Sequence, residues 1–258
     1  MREAHIVSVG TSIIRNSAQR AALPAEVTNV LKKWSVAQPG SPEDVEAGEK
    51  CVPGHPIFKV LLDQLATEPR IVSAELNAMW TYLDRGSVES VELLASDSGV
   101  CELCAKLLKE YLSNQFKVKV EVHRIPGLGR HFEDGLYNLL DKISVLIKRH
   151  KREAREVYLN ATGGFKPETA MMYTAACLFG ADRVYYIHEV MRDVVELPAL
   201  PLSVPSDYIA AAGFVRTKGE VPERYSRIVE ELEKKGVVYR VGKSYRLRRW
   251  ASILLEQH

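Results

Sequence analysis

Residues 160–168, which read NATGGFKPE, combine three features that could bind an anion. Asn160 and Thr162 have short polar side chains that suit turns and helix caps. The two glycines that follow permit positive φ and let a ligand approach the backbone closely, and Lys166 adds a mobile positive charge. The chemistry that this combination would serve is the binding of a phosphate group.

The elements on either side decide whether these residues can act together. Residues 156–159 are apolar and partly β-branched, which predicts the end of a buried strand, and residues 169–179 are alanine-rich, which predicts a helix. The stretch is then a strand-to-helix turn, where free N–H groups and the helix dipole favour an anion. The alternative is a plain structural turn with a surface lysine, and the convergence of these residue types on one helix start favours the phosphate site.

Gly10, Thr11 and Ser12 form a second candidate turn, directly after a predicted strand over residues 5–9. Gly10 allows a tight turn, and the two hydroxyls stand at the start of the next helix, where they could bind a ligand or simply cap that helix. The stretch is neither G-x-G-x-x-G, nor a P-loop, nor G-x-S-x-G, so the dinucleotide, triphosphate and esterase motifs are absent.

Other polar residues are predicted near the same site. Asn16 would reach back to the first turn. Glu75 and Asn77 would line the pocket, unless they form an exposed helix face. Arg130 and His131 would cover the ligand, unless they belong to a solvated loop. The predicted catalytic residues are Ser12 and Lys166, and the predicted ligand-binding residues are Gly10, Thr11, Asn16, Glu75, Asn77, Ser96, Asp97, Arg130, His131, Asn160, Ala161, Thr162, Gly163, Gly164 and Phe165.

The cysteines predict no metal site. Cys101 and Cys104 form a single C-x-x-C, and no second pair or closely spaced histidines accompany them. We therefore expect two packed or semi-exposed thiols at Cys101 and Cys104. No metal and no cofactor are expected. No apolar run approaches the roughly 18 residues of a membrane span, and the first residues lack a signal-peptide pattern, so the expected location is cytoplasmic, without a membrane.

Predicted strands alternate with helices through most of the chain, which indicates an α/β fold with a mostly parallel sheet and helices on both faces. Ligands bind such sheets beyond the carboxyl ends of the strands. The polar turns after residues 9, 95 and 159 should therefore share one edge. This Rossmann-like, ligand-binding and catalytic domain is predicted to span residues 1–200.

The pattern changes after the proline-spaced residues 198–205. A helix at 224–235, strands at 237–241 and 244–247 around a Gly-Lys turn, and a helix at 250–255 outline a small winged helix-turn-helix-like domain over residues 206–258. Residues 214–258 include 11 Lys and Arg against 6 Asp and Glu. Binding of DNA is one interpretation, and a packing or dimerisation module with the same outline is at least as well supported.

Residues 7–12 (VSVGTS) and 160–168 together resemble the motifs of the CRISPR-associated Rossmann fold (CARF) domain. The chain resembles archaeal stand-alone CARF proteins with a C-terminal winged-helix-like domain, among which are the ring nucleases, over roughly its first four-fifths by motif and order. The resemblance implies a homodimer that binds cyclic tetra-adenylate across its two-fold axis. It further implies metal-independent, lyase-type cleavage to linear di-adenylate with a 2′,3′-cyclic phosphate, in which Ser12 and Lys166 are the functional pair and type III CRISPR signalling is switched off.

Three rival interpretations stay open from the sequence. The first is a non-catalytic cyclic-oligoadenylate sensor whose tail regulates transcription by binding DNA. The second is a ribonuclease with a HEPN domain, which needs R-x4–6-H on a helix beyond the sensor, whereas the matching pairs, Arg124 with His131 and Arg183 with His188, fall in the predicted sheet domain. The third is an unrelated Rossmann-like enzyme for small nucleotides, which the absent dinucleotide motif disfavours.

Overall fold

A computed structural model of the chain describes residues 2–20, 23–187, 193–218 and 221–256. The main sheet is built from six strands: β1 (Glu3–Val9), β2 (Val88–Ala95), β3 (Lys119–Arg124), β4 (Glu156–Asn160), β5 (Arg183–Ile187) and β6 (Val194–Leu197). Their order across the sheet is β3-β2-β1-β4-β5-β6, and neighbours are parallel except for β6, which is antiparallel to β5. The predicted α/β, Rossmann-like fold is confirmed.

The helices of the sheet domain are α1 (Ser12–Ser17), α2 (Ala25–Ser35), α3 (Pro42–Glu49), α4 (Pro56–Thr67), α5 (Pro69–Val72), α6 (Ala74–Asp84), α7 (Gly99–Gln115), α8 (Phe132–Arg152) and α9 (Lys166–Phe179). The residues that follow the sheet form α10 (Ser206–Lys218), a short 3₁₀ turn (Glu223–Tyr225), α11 (Ser226–Lys234), the hairpin strands β7 (Val238–Val241) and β8 (Ser244–Leu247), and α12 (Arg249–Leu255). None of the helices described is long and apolar enough to cross a membrane.

Two hydrophobic cores lie on opposite faces of the sheet, because successive side chains of a strand point to opposite sides. Val7 of β1 packs with α1 to α7, whereas its neighbour Ile6 packs with α8 and α9. Leu93 and Leu94 of β2 divide in the same way. All seven residues of β1 are buried, as expected for a central parallel strand covered on both faces.

The C-terminal elements form a third, small core of their own and also dock on α8. Ala211, Val229 and Leu232 belong to the small core, while Trp250 of α12 packs into the core around α8 and α9. The Trp250 backbone N–H donates to Asp141 Oδ1 of α8 at 2.6 Å. The sequence pattern did not predict α10, and the winged-helix assignment of this region stays a prediction.

Candidate functional site

The site begins where β1 and β4 end side by side. Strand order reverses between these two strands: the connections from β1 to β3 run over one face of the sheet, and those from β3 to β5 run over the other. Loops at such a switch point turn away from each other and leave a crevice at the carboxyl edge. The loop after β1 and the loop after β4 are the two walls of this crevice.

Glycine at position 163 lets the two loops approach each other. The Ser8 hydroxyl shares its one proton between the Gly163 carbonyl oxygen at 2.8 Å and the Asn160 carbonyl oxygen at 3.2 Å. A Cβ atom at Gly163 would lie 2.5 Å from both the Gly10 nitrogen and the Ser8 oxygen. These contacts leave no room for a side chain, so the loops keep their spacing only with glycine here.

Gly164 and Glu168 shape the start of α9. Gly164 has a φ of +87°, a left-handed conformation that glycine adopts without strain, and a Cβ there would collide with the Glu168 carboxylate. Glu168 is 3 % exposed, and its Oε1 has no hydrogen-bond partner among the described residues. Burial raises the pKa of Glu168 to about 7, although a hydrogen bond from the Phe165 backbone acts in the opposite direction.

Ser12 is positioned from beneath by Glu75, the second residue of α6. The Ser12 hydroxyl donates to Glu75 Oε2 at 2.8 Å, and the Gly10 N–H donates to Glu75 Oε1 at 2.8 Å. The Ser73 hydroxyl donates to the same Oε2 at 2.8 Å, and the Ala74 N–H donates to Ser12 Oγ at 3.2 Å. Glu75 is only 1 % exposed, so it supports the first loop from inside the protein.

A cavity of about 910 Å³ opens between the two loops and the helices α1, α5 and α6, within the usual range for ligand sites. Its lining includes four cationic side chains and, among the residues that the structure describes, no aspartate, glutamate, histidine or cysteine. The lining residues are Ser12, Arg15, Asn16, Gln19, Arg20, Arg70, Ile71, Ala74, Asn77, Ala161, Thr162, Gly164, Lys166, Thr169, Tyr186 and Ile187. The cavity is therefore suited to an anionic ligand.

The four cations differ in how far they are already neutralised. Arg20 pairs with Glu68, and Arg70 Nε donates to Asn77 Oδ1 at 3.0 Å. Within the described part of the chain, Arg15 and Lys166 are exposed and form no ion pair. Arg70 is exposed as well, and its hydrogen bond to the neutral Asn77 amide leaves its charge uncompensated. The charges of Arg15, Arg70 and Lys166 are therefore available to a ligand.

Seven of the predicted site residues line this cavity: Ser12, Asn16, Asn77, Ala161, Thr162, Gly164 and Lys166. Asn16 also anchors α1, since its amide donates to the Ile71 and Val72 carbonyls at 3.0 and 3.1 Å. The Thr162 hydroxyl accepts from the Ile187 N–H at 3.1 Å. The two loops and the two proposed catalytic side chains thus meet at one cavity.

A second group of predicted residues supports the loops from behind. Asn160 is fully buried; its amide donates to the Glu75 carbonyl at 3.2 Å, and its Oδ1 accepts from the Thr162 N–H at 3.2 Å. Gly10 and Gly163 meet in the loop contact described above, and Thr11 stands at the N-cap of α1 without a side-chain cap hydrogen bond. Phe165 is 47 % exposed beside Lys166.

Ser96, Asp97, Arg130 and His131 lie outside the cavity lining. Asp97 accepts from the Gly127 N–H at 3.1 Å and from Arg124 Nε at 2.9 Å, so it fastens the loop after β3. Burial opposes ionisation of Asp97, yet these hydrogen bonds lower its pKa. Ser96 is buried, Arg130 Nη2 stands 3.8 Å from Asp44 Oδ2, and His131 precedes α8 without capping it.

The loop after β3 nevertheless approaches the mouth of the site. A Cβ at Gly129 would lie 3.6 Å from the Phe165 ring and 3.7 Å from Ser96 Cβ. The sequence offers two R-x4–6-H pairs for a ribonuclease domain. In the first pair, Arg124 lies on β3 and His131 precedes α8, so the pair does not lie on one helix beyond the sheet. His188 lies outside the described residues.

The residues that the sequence did not single out are Arg15, Gln19, Arg20, Arg70, Ile71, Ala74, Thr169, Tyr186 and Ile187. Helical spacing from Ser12 could have indicated Arg15 and Gln19, since residues three to four apart share a face. Arg70 and Tyr186 carry no such signal, because each reaches the cavity through a distant part of the chain.

A separate polar cluster lies on β2, β3 and α8, away from the cavity. Glu92, Glu121 and His123 bring potential metal-ligating atoms within 4.8 Å of one another, which the sequence did not predict. Burial alone would raise the pKa of Glu92, yet hydrogen bonds from His123 and His150 and the charge of Arg149 hold it well below its usual range. Arg149 pairs with Glu92 and lies 3.6 Å from Glu121 Oε2, so both carboxylates of the cluster have a cationic partner.

The sheet and its cavity define the class of this protein: an α/β protein of Rossmann-like architecture with a cavity lined by cationic residues at the carboxyl edge of the sheet. The family model described as CRISPR-associated protein (Cas_APE2256) matches residues 70–200, just over half of the 258 residues. The chain belongs to this family, and a role in CRISPR systems follows. The match covers the loop that contains Lys166 and begins after the loop that contains Ser12.

Proposed function

We propose that the chain is a ring nuclease that binds cyclic tetra-adenylate in this cavity and cleaves it to linear di-adenylate with a 2′,3′-cyclic phosphate. The observation that carries the proposal is the meeting of Ser12 and Lys166, from two different loops, in one cavity lined by four cations. Such a lining favours a ligand with several phosphates. Membership of a CRISPR-associated family supports the same conclusion.

The proposed cleavage uses the ribose 2′-OH as the nucleophile. The site must hold this oxygen in line with the leaving 5′-oxygen and must stabilise the extra negative charge on the phosphorane oxygens. Lys166, exposed at the mouth of the cavity, supplies the charge and a proton for the leaving oxygen, and N–H groups around Gly164 add hydrogen bonds. The cavity lining offers a metal ion no carboxylate, histidine or cysteine among the described residues, and the mechanism assigns no step to a metal.

The proposed functional unit is a homodimer. Conversion of a ring of four nucleotides into two dinucleotides requires two cuts on opposite sides of the ring. A two-fold axis through the ring supplies two copies of Ser12 and Lys166 in equivalent positions, one pair for each cut. The activity would end type III CRISPR signalling by removing its messenger.

The test is cleavage of labelled cyclic tetra-adenylate in the presence of EDTA, with products separated by chromatography. We expect the wild type to form di-adenylate, and Lys166→Ala to lose turnover by about 10²–10³-fold, the usual effect of removing one group that stabilises transition-state charge. Lys59→Ala is the matched control, because Lys59 is exposed on α4 outside the cavity lining. Loss of wild-type turnover in EDTA, or full turnover in Lys166→Ala, would contradict the proposal.

A second candidate, a sensor whose tail binds DNA, draws support from the basic tail. The charges of the tail favour DNA binding less, because α11, which precedes the hairpin, carries three acidic residues: Glu230, Glu231 and Glu233. Two of these glutamates neutralise basic side chains, Lys235 at 3.1 Å from Glu231 and Arg240 at 3.3 Å from Glu233. Binding of labelled duplex DNA, with and without cyclic tetra-adenylate, separates this candidate from the first.

A further inference from the structure

The hydrogen bonds of Ser12 determine what its hydroxyl can offer to a ligand. A serine hydroxyl has one proton to donate and two lone pairs to accept with. The proton of Ser12 is directed to Glu75 Oε2 at 2.8 Å, and one lone pair accepts from the Ala74 N–H at 3.2 Å. One lone pair remains, and Ser12 is one of the residues that line the cavity. Ser12 is thus arranged as a hydrogen-bond acceptor toward the ligand.

Glu75 is held firmly in the orientation that produces this arrangement. The Gly10 N–H, which can only donate, fixes Oε1 as an acceptor at 2.8 Å, and the Ser73 hydroxyl donates to Oε2 at 2.8 Å. Glu75 is also the second residue of α6, where the helix dipole favours a negative charge. A buried side chain with its carboxylate fixed at both oxygens has little freedom to turn away from Ser12.

We propose that Glu75 is a positioning residue for the cleavage reaction and acts through Ser12, an inference that rests on the proposed function. The 2′-OH of the ligand donates to the free lone pair of Ser12. As the 2′-oxygen attacks phosphorus, its proton passes to Ser12 Oγ, and the original Ser12 proton passes to Glu75 Oε2. The bond between phosphorus and the 5′-oxygen breaks, and the leaving oxygen takes a proton from Lys166. Exchange with solvent then returns the proton from Glu75 and restores the charge of Lys166.

This arrangement assigns different tasks to the two carboxylates of the site. Glu75 contacts the hydroxyl of the first loop, whereas Glu168 lies against Gly164 and accepts from the Phe165 backbone on the second. Only Glu75 therefore has a hydrogen-bonded route to the 2′-OH. Its burial excludes direct contact with the ligand, so its effect must pass through the serine.

The experiment compares wild type, Glu75→Gln, Ser12→Ala and the double variant in single-turnover cleavage of labelled cyclic tetra-adenylate, with ligand affinity measured separately. Glutamine keeps the size of the side chain and a hydrogen-bond acceptor but is a far weaker proton acceptor. We expect the Glu75→Gln rate constant to fall by about 10²–10⁴-fold, the usual contribution of a positioned proton acceptor, while Kd changes less than about tenfold. Glu26→Gln on the exposed surface of α2 is the control for the chemical change.

The double variant separates action through Ser12 from a general structural effect. If Glu75 acts through Ser12, Glu75→Gln costs little more once the serine is absent, whereas equal losses in both backgrounds would overturn the role. If the wild type cleaves the ring and Glu75→Gln cleaves it equally fast, the role of Glu75 is refuted and the proposed function is not. Wild type that leaves the ring intact refutes the proposed function and this role together.

Glu75→Asp keeps the test decisive if the glutamine variant does not fold. Aspartate retains a carboxylate but shortens the side chain by one carbon, about 1.5 Å. Misplacement on that scale in an active site can cost about 10²-fold in rate. We expect at least a tenfold loss of the rate constant with ligand affinity retained, and full turnover in this variant would also overturn the role of Glu75.

Discussion

Replacement of Glu168 by glutamine should remove a pH-dependent loss of stability from the folded chain. Burial raises the pKa of this carboxyl from 4.5 to about 7, against a hydrogen bond from the Phe165 backbone. One carboxylate oxygen has no partner among the described residues, so ionisation places an incompletely compensated charge inside the protein. The folded state thus keeps the Glu168 proton at pH values where the unfolded chain has released it.

The magnitude follows from the difference between the two pKa values. Between pH 4.5 and about 7 the folded state binds more protons at this site than the unfolded state does, so the free energy of unfolding falls as pH rises. Each pH unit in this interval costs about 1.4 kcal/mol, and the whole interval costs about 3 kcal/mol. Below pH 4.5 and above about 7 the contribution of Glu168 no longer changes with pH.

Urea denaturation of wild type and Glu168→Gln at a series of pH values from about 4 to 8 measures this effect. The quantity to follow is the stability of the wild type minus that of the variant, because other titrating groups cancel in the difference. We expect the difference to fall by about 3 kcal/mol from the acid to the alkaline end of the series. Glu26→Gln, at an exposed position, is the control and should give a nearly constant difference. A difference that stays level or rises with pH for Glu168→Gln would refute the reasoning.

Two further predictions concern the walls of the cavity. Gly163→Ala should lower the free energy of unfolding, measured by urea denaturation, by about 1–3 kcal/mol, because the added Cβ would lie 2.5 Å from the Gly10 nitrogen. Gly54→Ala is the control, because nothing lies within 4 Å of a Cβ added there. Equal losses in the two variants would contradict the argument. Arg15→Ala should weaken binding of cyclic tetra-adenylate by about tenfold at low salt, because one contact between a cation and a phosphate is lost. The slope of log affinity against log salt concentration should become shallower for the same reason. An unchanged slope would contradict this prediction.

The strands were predictable where a short apolar or alternating run is bounded by turn residues. The hairpin strand Ser244–Leu247 has the bounds that the sequence indicates. The strands predicted at 5–9, 156–159 and 237–241 are observed as Glu3–Val9, Glu156–Asn160 and Val238–Val241. The mixed pattern of α10 gave no such signal: alanines and a glycine interrupt its apolar residues, and no single stripe faces the core. The antiparallel direction of β6 also depends on pairing across space, which local spacing does not determine.

The candidate site also contains residues that the local sequence indicates and residues that only the tertiary packing brings there. Ser12 and Lys166 could be found because each begins the helix that follows a strand, and parallel strands place their carboxyl ends at one edge. Glu75 could be named but not placed: the sequence suggests a pocket-lining or exposed residue, whereas it lies beneath the first loop. Arg70 reaches the cavity only because α5 packs beside α1, a contact across more than fifty residues of chain that no local pattern reports.

The reversal of strand order between β1 and β4 explains why the reaction would need both loops. Each loop alone offers one kind of group: the first offers a hydroxyl oxygen whose proton is directed inward, and the second offers a lysine and backbone N–H groups. Attack by a 2′-OH requires an acceptor for the proton on one side of the phosphate and a cation on the other. Adjacent parallel strands whose connections leave over opposite faces place the two kinds of group on facing walls of one crevice. The order of the strands therefore places the proton acceptor on one wall of the crevice and the cation on the other.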